Sequence, residues 1–107
     1  MRAIFTGILC CAIATGAHAE FISATQLKEY LDDARSGSSF KSLTVAMGYV
    51  AGVYDMVDRS QVCINRELSA RDAMAIVHRY LNAHRSDLAQ PAAGLVVRAL
   101  AEEFPCK

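Results

Sequence analysis

The sequence predicts an all-α fold, a small compact bundle of about four helices stapled by one disulfide. Three observations lead there. Apolar residues recur at helical spacing in four segments separated by turn residues. No segment alternates convincingly with period two. Two cysteines remain once an N-terminal export segment is set aside.

That segment covers residues 1–19. Arg2 is a minimal charged start, Ile4 to Ala14 is mostly apolar, and Ala17-His18-Ala19 has the A-x-A form of a cleavage site, so the mature chain is expected to begin at Glu20. A lipid-anchored reading through Cys10 is disfavoured by the large Leu9 before it. Residues 20–107 are then a single domain, too short for a second core. Loss of Arg2 leaves ten basic against eleven acidic side chains, a net charge of about −1 with no basic stripe for nucleic acid. Leu43 to Val57 is too short, and too interrupted by Asp55, to cross a bilayer.

Ser23-Ala24-Thr25-Gln26 has the S-x-x-Q form of a capping box, and Leu27, Tyr30, Leu31 and Ala34 then repeat with helical spacing. This first helix should end near Ser36-Gly37. After the turn Gly37-Ser38-Ser39, a central helix begins close to Lys41 and carries apolar residues around most of its circumference: Leu43, Val45, Met47, Val50, Val53, Met56 and Val57. A helix apolar nearly all round is expected to be buried. Within it, Thr44, Gly48, Ala51, Gly52 and Asp55 share one small, smooth face. Each mid-helix glycine costs about 1 kcal/mol relative to alanine, so something should approach that face closely. Packing against the first or fourth helix is the default expectation, and a homodimer or partner contact is the alternative. Tyr49 and Tyr54 are either core-boundary residues or interface anchors.

Asp58 to Glu67 is polar and without period, the main irregular segment of the chain. Ser69 is the expected cap of a third helix, whose Ala73, Ile76, Val77, Tyr80 and Leu81 lie on one side and which should stop between Asn82 and Ser86. Pro91 suits the first turn of a fourth helix with the stripe Ala92, Leu95, Val96, Ala99 and Leu100, and Pro105 ends it. Cys106 then falls just past this helix.

Candidates for chemistry are few. In an oxidising compartment Cys63 and Cys106 are most simply paired, closing a loop of about 44 residues worth about 4 kcal/mol on a chain-entropy estimate. The competing reading, Cys63 as a nucleophile with His78 or His84 as base, requires a free thiolate that the bridge removes. His78 and His84 are six apart, off the spacing that puts two ligands on one helical face, and neither H-E-x-x-H nor C-x-x-C occurs, so no metal and no cofactor is expected. His78 reads as a surface or boundary residue, and His84 as a helix C-terminal one. Asp55 either marks the helix emerging into solvent, pairs with Arg59 at i+4, or anchors an interface. The adjacent pairs Asp32-Asp33 and Glu102-Glu103 read as solvated helix faces.

Taken in order, Gly48-Tyr49-Val50-Ala51-Gly52-Val53-Tyr54-Asp55, Cys63-Ile64-Asn65, His78 through His84, Pro91-Ala92-Ala93 through Ala99-Leu100, and Phe104-Pro105-Cys106 resemble the Rap/Tai family, immunity proteins of type VI secretion systems. The similarity spans about Leu27 to Cys106. Tyr30 and Ala46 stand where the family often carries a further pair of cysteines, Asn65 where it has proline, and Arg85 where proline often follows the second histidine. The resemblance implies a periplasmic helical protein, not an enzyme, that binds and blocks a peptidoglycan amidase delivered by a sister cell. It also implies homodimers for some members. Such occlusion needs a protruding segment on a rigid scaffold. Asp58, Arg59, Gln61, Asn65, Arg66 and Glu67 are the expected effector contacts, with Asp55 as a further partner-binding residue. Gly48, Tyr49, Gly52 and Pro105 are the structural positions. The alternatives are a periplasmic acid-stress chaperone of the HdeA type and an orphan binding protein without a cognate amidase.

Overall fold

The computed structural model describes residues 21–107, so the expected export segment and its cleavage after Ala19 lie outside the described residues. Four helices follow one another: α1 (Ala24–Ser36), α2 (Phe40–Val57), α3 (Ala70–Ala83) and α4 (Ala92–Glu103), with one 3-10 turn at Arg85–Asp87 between the last two. The expected all-α bundle and the Cys63–Cys106 disulfide are both present.

Local chemistry accounts for the boundaries. Ser23 caps α1 reciprocally: its Oγ accepts from the Gln26 N–H at 3.1 Å, while Gln26 Oε1 accepts from the Ser23 N–H at 3.0 Å. Gly37 ends the helix at φ 72°, a left-handed conformation open to glycine without a Cβ penalty, and its N–H reaches the Ala34 carbonyl. Ser39 and Ser69 cap α2 and α3, accepting from the Ser42 and Asp72 N–H groups at 3.1 Å each. Pro91 immediately precedes α4, and an isolated bridge between Ser23 and Pro91 sets the starts of α1 and α4 side by side.

The core is continuous. Leu27 and Leu31 from α1, Ala46, Val50 and Val57 from α2, Val77 and Leu81 from α3, and Leu95, Val96, Ala99 and Leu100 from α4 are all buried, together with Val62 and Phe104 from outside the helices. Each fully buried leucine contributes on the order of 2 kcal/mol by transfer from water. All four helices contact one another, so no element is peripheral.

Two expectations are corrected. First, α2 is apolar nearly all round but buried on one side only, through Ser42, Ala46, Val50 and Val57. Its glycine face is not packed against α1 or α4: Gly48 and Gly52 are exposed, and a Cβ added at either would meet nothing within 4 Å. Phe40 and Met56, 82% and 81% exposed, flank the same face. Second, His78 is 7% exposed, not a surface residue. It reaches across to α1, where its Nε2–H donates to Asp32 Oδ1 at 2.6 Å.

Candidate protein-binding face

The irregular segment between α2 and α3 is held at several points. After α2 the chain reverses tightly: the Ser60, Gln61 and Val62 N–H groups all lie within 3.2 Å of the Val57 carbonyl, and the Arg59 N–H donates to the Val62 carbonyl at 2.6 Å. Arg59 sits at φ 66°, the one non-glycine in the left-handed region among the described residues. That conformation costs about 1 kcal/mol for a residue with a Cβ. A glycine would remove the penalty.

Further along, Asp58 Oδ1 accepts from the Ile64 N–H at 3.4 Å, and the Cys63 N–H donates to the Phe104 carbonyl at 3.0 Å. The bond to Cys106 fixes the same residue covalently to the chain end. Val62 is fully buried below. The segment is therefore polar outside, apolar beneath and tied to the chain just past α4 through both backbone and sulfur.

Among the expected contact residues, Arg59, Gln61, Asn65, Arg66 and Glu67 are exposed and Asp58 is half-buried. They follow one another along the irregular segment between α2 and α3. Arg66 is partly engaged: its guanidinium lies 4.8 Å from the centre of the Phe104 ring and 3.9 Å from Glu103 Oε1. Glu103 also lies 3.6 Å from Arg79, so the Glu102-Glu103 pair is not wholly a solvated face. Asp55 is exposed on α2 and forms no pair with Arg59 among the described residues. It borders a shallow depression of about 190 Å³ shared with Tyr54, Leu68 and Ser69, where the irregular segment runs into α3. Tyr49 and Tyr54 are half-buried against the core, and exposed Pro105 follows the buried Phe104 at the end of α4.

The candidates for catalysis do not converge. Cys63 is in its disulfide, His78 is bound to Asp32, and His84 caps α3 with its Nδ1–H donating to the Tyr80 carbonyl at 2.8 Å. The His84 ring also stacks on Tyr80, with centroids 3.9 Å apart. No cluster of three metal-ligating side chains occurs among the described residues.

Sequence reasoning missed the network between α1 and α3. Asp32 accepts from Lys28 Nζ at 2.7 Å as well as from His78, and Asp33 accepts from Ser42 Oγ at 3.2 Å, so neither aspartate is merely solvated. Partial burial pushes the Asp32 carboxyl up, but hydrogen bonds from Lys28 and His78, together with the Lys28 charge, outweigh it and hold its pKa below the ordinary value. A signal was present: His78 lies four residues after Met74 and three before Leu81, on the buried face of α3.

No helix among the described residues is long and apolar enough to cross a membrane. No curated protein sequence matches the chain. The profile of the Rap1a immunity proteins, however, matches residues 18–106, from before α1 to the disulfide cysteine after α4. The match takes in the glycine-bearing helix, the tethered segment between α2 and α3 and both bridge residues, and the chain belongs to the Rap1a immunity protein family.

Proposed function

We propose that this protein acts in the periplasm, reached through cleavage of residues 1–19, where it binds and occludes a peptidoglycan amidase delivered by the type VI secretion system of a sister cell. It carries out no chemistry itself. Its working unit is a homodimer, and Asp55 is a polar anchor at a protein contact. The ridge formed by Asp58, Arg59, Gln61, Asn65, Arg66 and Glu67 supplies the inhibitory contacts.

The observation that supports this reading is the ordering of that ridge before any partner arrives. Fixing ten flexible residues on binding would cost on the order of 10 kcal/mol. That is close to the whole free energy of a nanomolar complex, about 12 kcal/mol. A segment already held by Cys63–Cys106, by the Cys63 N–H on Phe104 and by the turn at Arg59 avoids most of that cost.

The test is joint replacement of Arg59, Gln61, Asn65 and Glu67 by alanine, with inhibition of the cognate amidase and the melting temperature measured side by side. We expect inhibition to weaken by at least about a hundredfold, with the melting temperature changed little. Undiminished inhibition would remove the ridge from the mechanism.

A further inference from the structure

We infer that the exposed face of α2 is the surface through which two copies of this chain dock, antiparallel, about a two-fold axis passing beside Gly48. This specifies the self-association named above and rests on it, but it is independent of what enzyme the dimer inhibits.

The face lacks a partner within the described fold. Phe40 and Met56 are among the exposed large hydrophobic side chains, both on this helix, and Gly48 and Gly52 stand between them with open space above. The arrangement is self-complementary about Gly48. In an antiparallel pair centred there, each residue comes level with the one equally far on the other side in the second copy. Phe40 meets the level of Met56, Thr44 that of Gly52, and Lys41 that of Asp55. Lys41 and Asp55 both lie within about 20° of the Gly48 line on the helix surface. Opposite charges therefore face each other twice, once on each side of the axis. Both side chains are exposed and neither makes an ion pair among the described residues.

The shape agrees with the charge. Two glycines and a threonine at the centre let the helix backbones approach closely, and the bulky residues at the ends close over the flanks. A parallel pair would set Lys41 beside Lys41 and Asp55 beside Asp55, so charge selects the antiparallel arrangement. Burying two copies each of Phe40 and Met56, at roughly 150 to 200 Å² a side chain, brings the contact with its small centre near the ~1,000 Å² of a specific interface. A second copy fits this chemistry better than an unrelated protein, because the complementary charges are already on the chain. The expected dimer is of micromolar affinity.

The experiment is charge exchange. Lys41→Asp, Asp55→Lys and the double variant are purified alongside the unaltered protein and followed by sedimentation equilibrium from about 1 μM to about 500 μM, which brackets a micromolar dissociation constant. Circular dichroism checks that each is folded. Either single variant sets like charges against each other at two places and should weaken dimerisation about tenfold or more. The double variant restores opposite charges and should recover the original affinity. A dimer insensitive to the single changes, or not recovered by the double one, overturns this docking while leaving the homodimer itself in place. A protein monomeric throughout the range overturns both, while the contacts of the ridge with an amidase stand or fall on the separate inhibition assay.

Discussion

Replacing Gly48 and Gly52 together by alanine should stabilise the monomer by about 2 kcal/mol. Both residues are interior to α2, where glycine is about 0.8 to 1.0 kcal/mol less favourable than alanine because it loses more backbone freedom on folding. The usual objection to filling a glycine, that its neighbours leave no room, does not apply, since the new Cβ atoms meet nothing within 4 Å. The two effects should therefore add. For a domain of this size each kcal/mol moves the melting temperature by about 4 to 8 °C, so the double variant should melt roughly 8 to 15 °C higher. The assay is urea unfolding followed by far-ultraviolet circular dichroism at protein concentrations well below the dimer's micromolar dissociation constant, where self-association contributes little. The midpoint should rise with an unchanged slope. A midpoint that stayed put or fell would mean that the face is packed in solution, and the account of α2 as half-covered would be wrong. The same variant should dimerise more weakly, because the added methyl groups, two from each chain, hold the helices apart. Stability and association moving in opposite directions would explain why glycine stands where alanine folds better.

Three further outcomes are expected. Cys63→Ser opens a loop with a sequence separation of 43 and should cost about 4 kcal/mol, lowering the melting temperature before it alters affinity for a partner; an unchanged melt would deny the bridge its structural role. Asp32→Asn should lose stability near pH 7, and the sign is fixed by the depressed pKa of Asp32: its contribution is full above the ordinary carboxylate value near 4 and fades as pH falls through the lower folded value. Stability curves of the two proteins should therefore converge below about pH 4, and a gap that persisted or widened there would contradict the assignment. Arg59→Gly relieves a left-handed backbone and should stabilise the fold by about 1 kcal/mol while weakening amidase inhibition. Gain in both properties would show that the arginine is not a contact residue.

Elements governed by neighbours three or four positions away were legible in the chain. The capping box at Ser23 and Gln26, the cap at Ser69, the stop at Gly37 and the stripe on α4 all appear where their residue types put them. The pairing of Cys63 with Cys106 followed from there being one pair to make. Legibility failed where a partner lay far along the chain. His78 is bound to a residue 46 positions away, and nothing near it in sequence signals a carboxylate on α1. The irregular ridge was recognisable by its lack of period, but the left-handed Arg59 within it was not, because arginine carries no preference for that region.

The sequence by itself determined four helices, their ends, the disulfide and the small face through Gly48 and Gly52, because each depends on short-range spacing or on the count of a residue type. Only the tertiary structure decided which side of α2 the bundle covers. Periodicity could not choose: Leu43, Val50, Val53 and Met56 surround the helix, and apolar burial has no direction of its own. The packing of α1, α3 and α4 covers Ala46, Val50 and Val57 and leaves Phe40, Gly48, Gly52 and Met56 outside, so the small face expected to pack inside the bundle is the one left exposed.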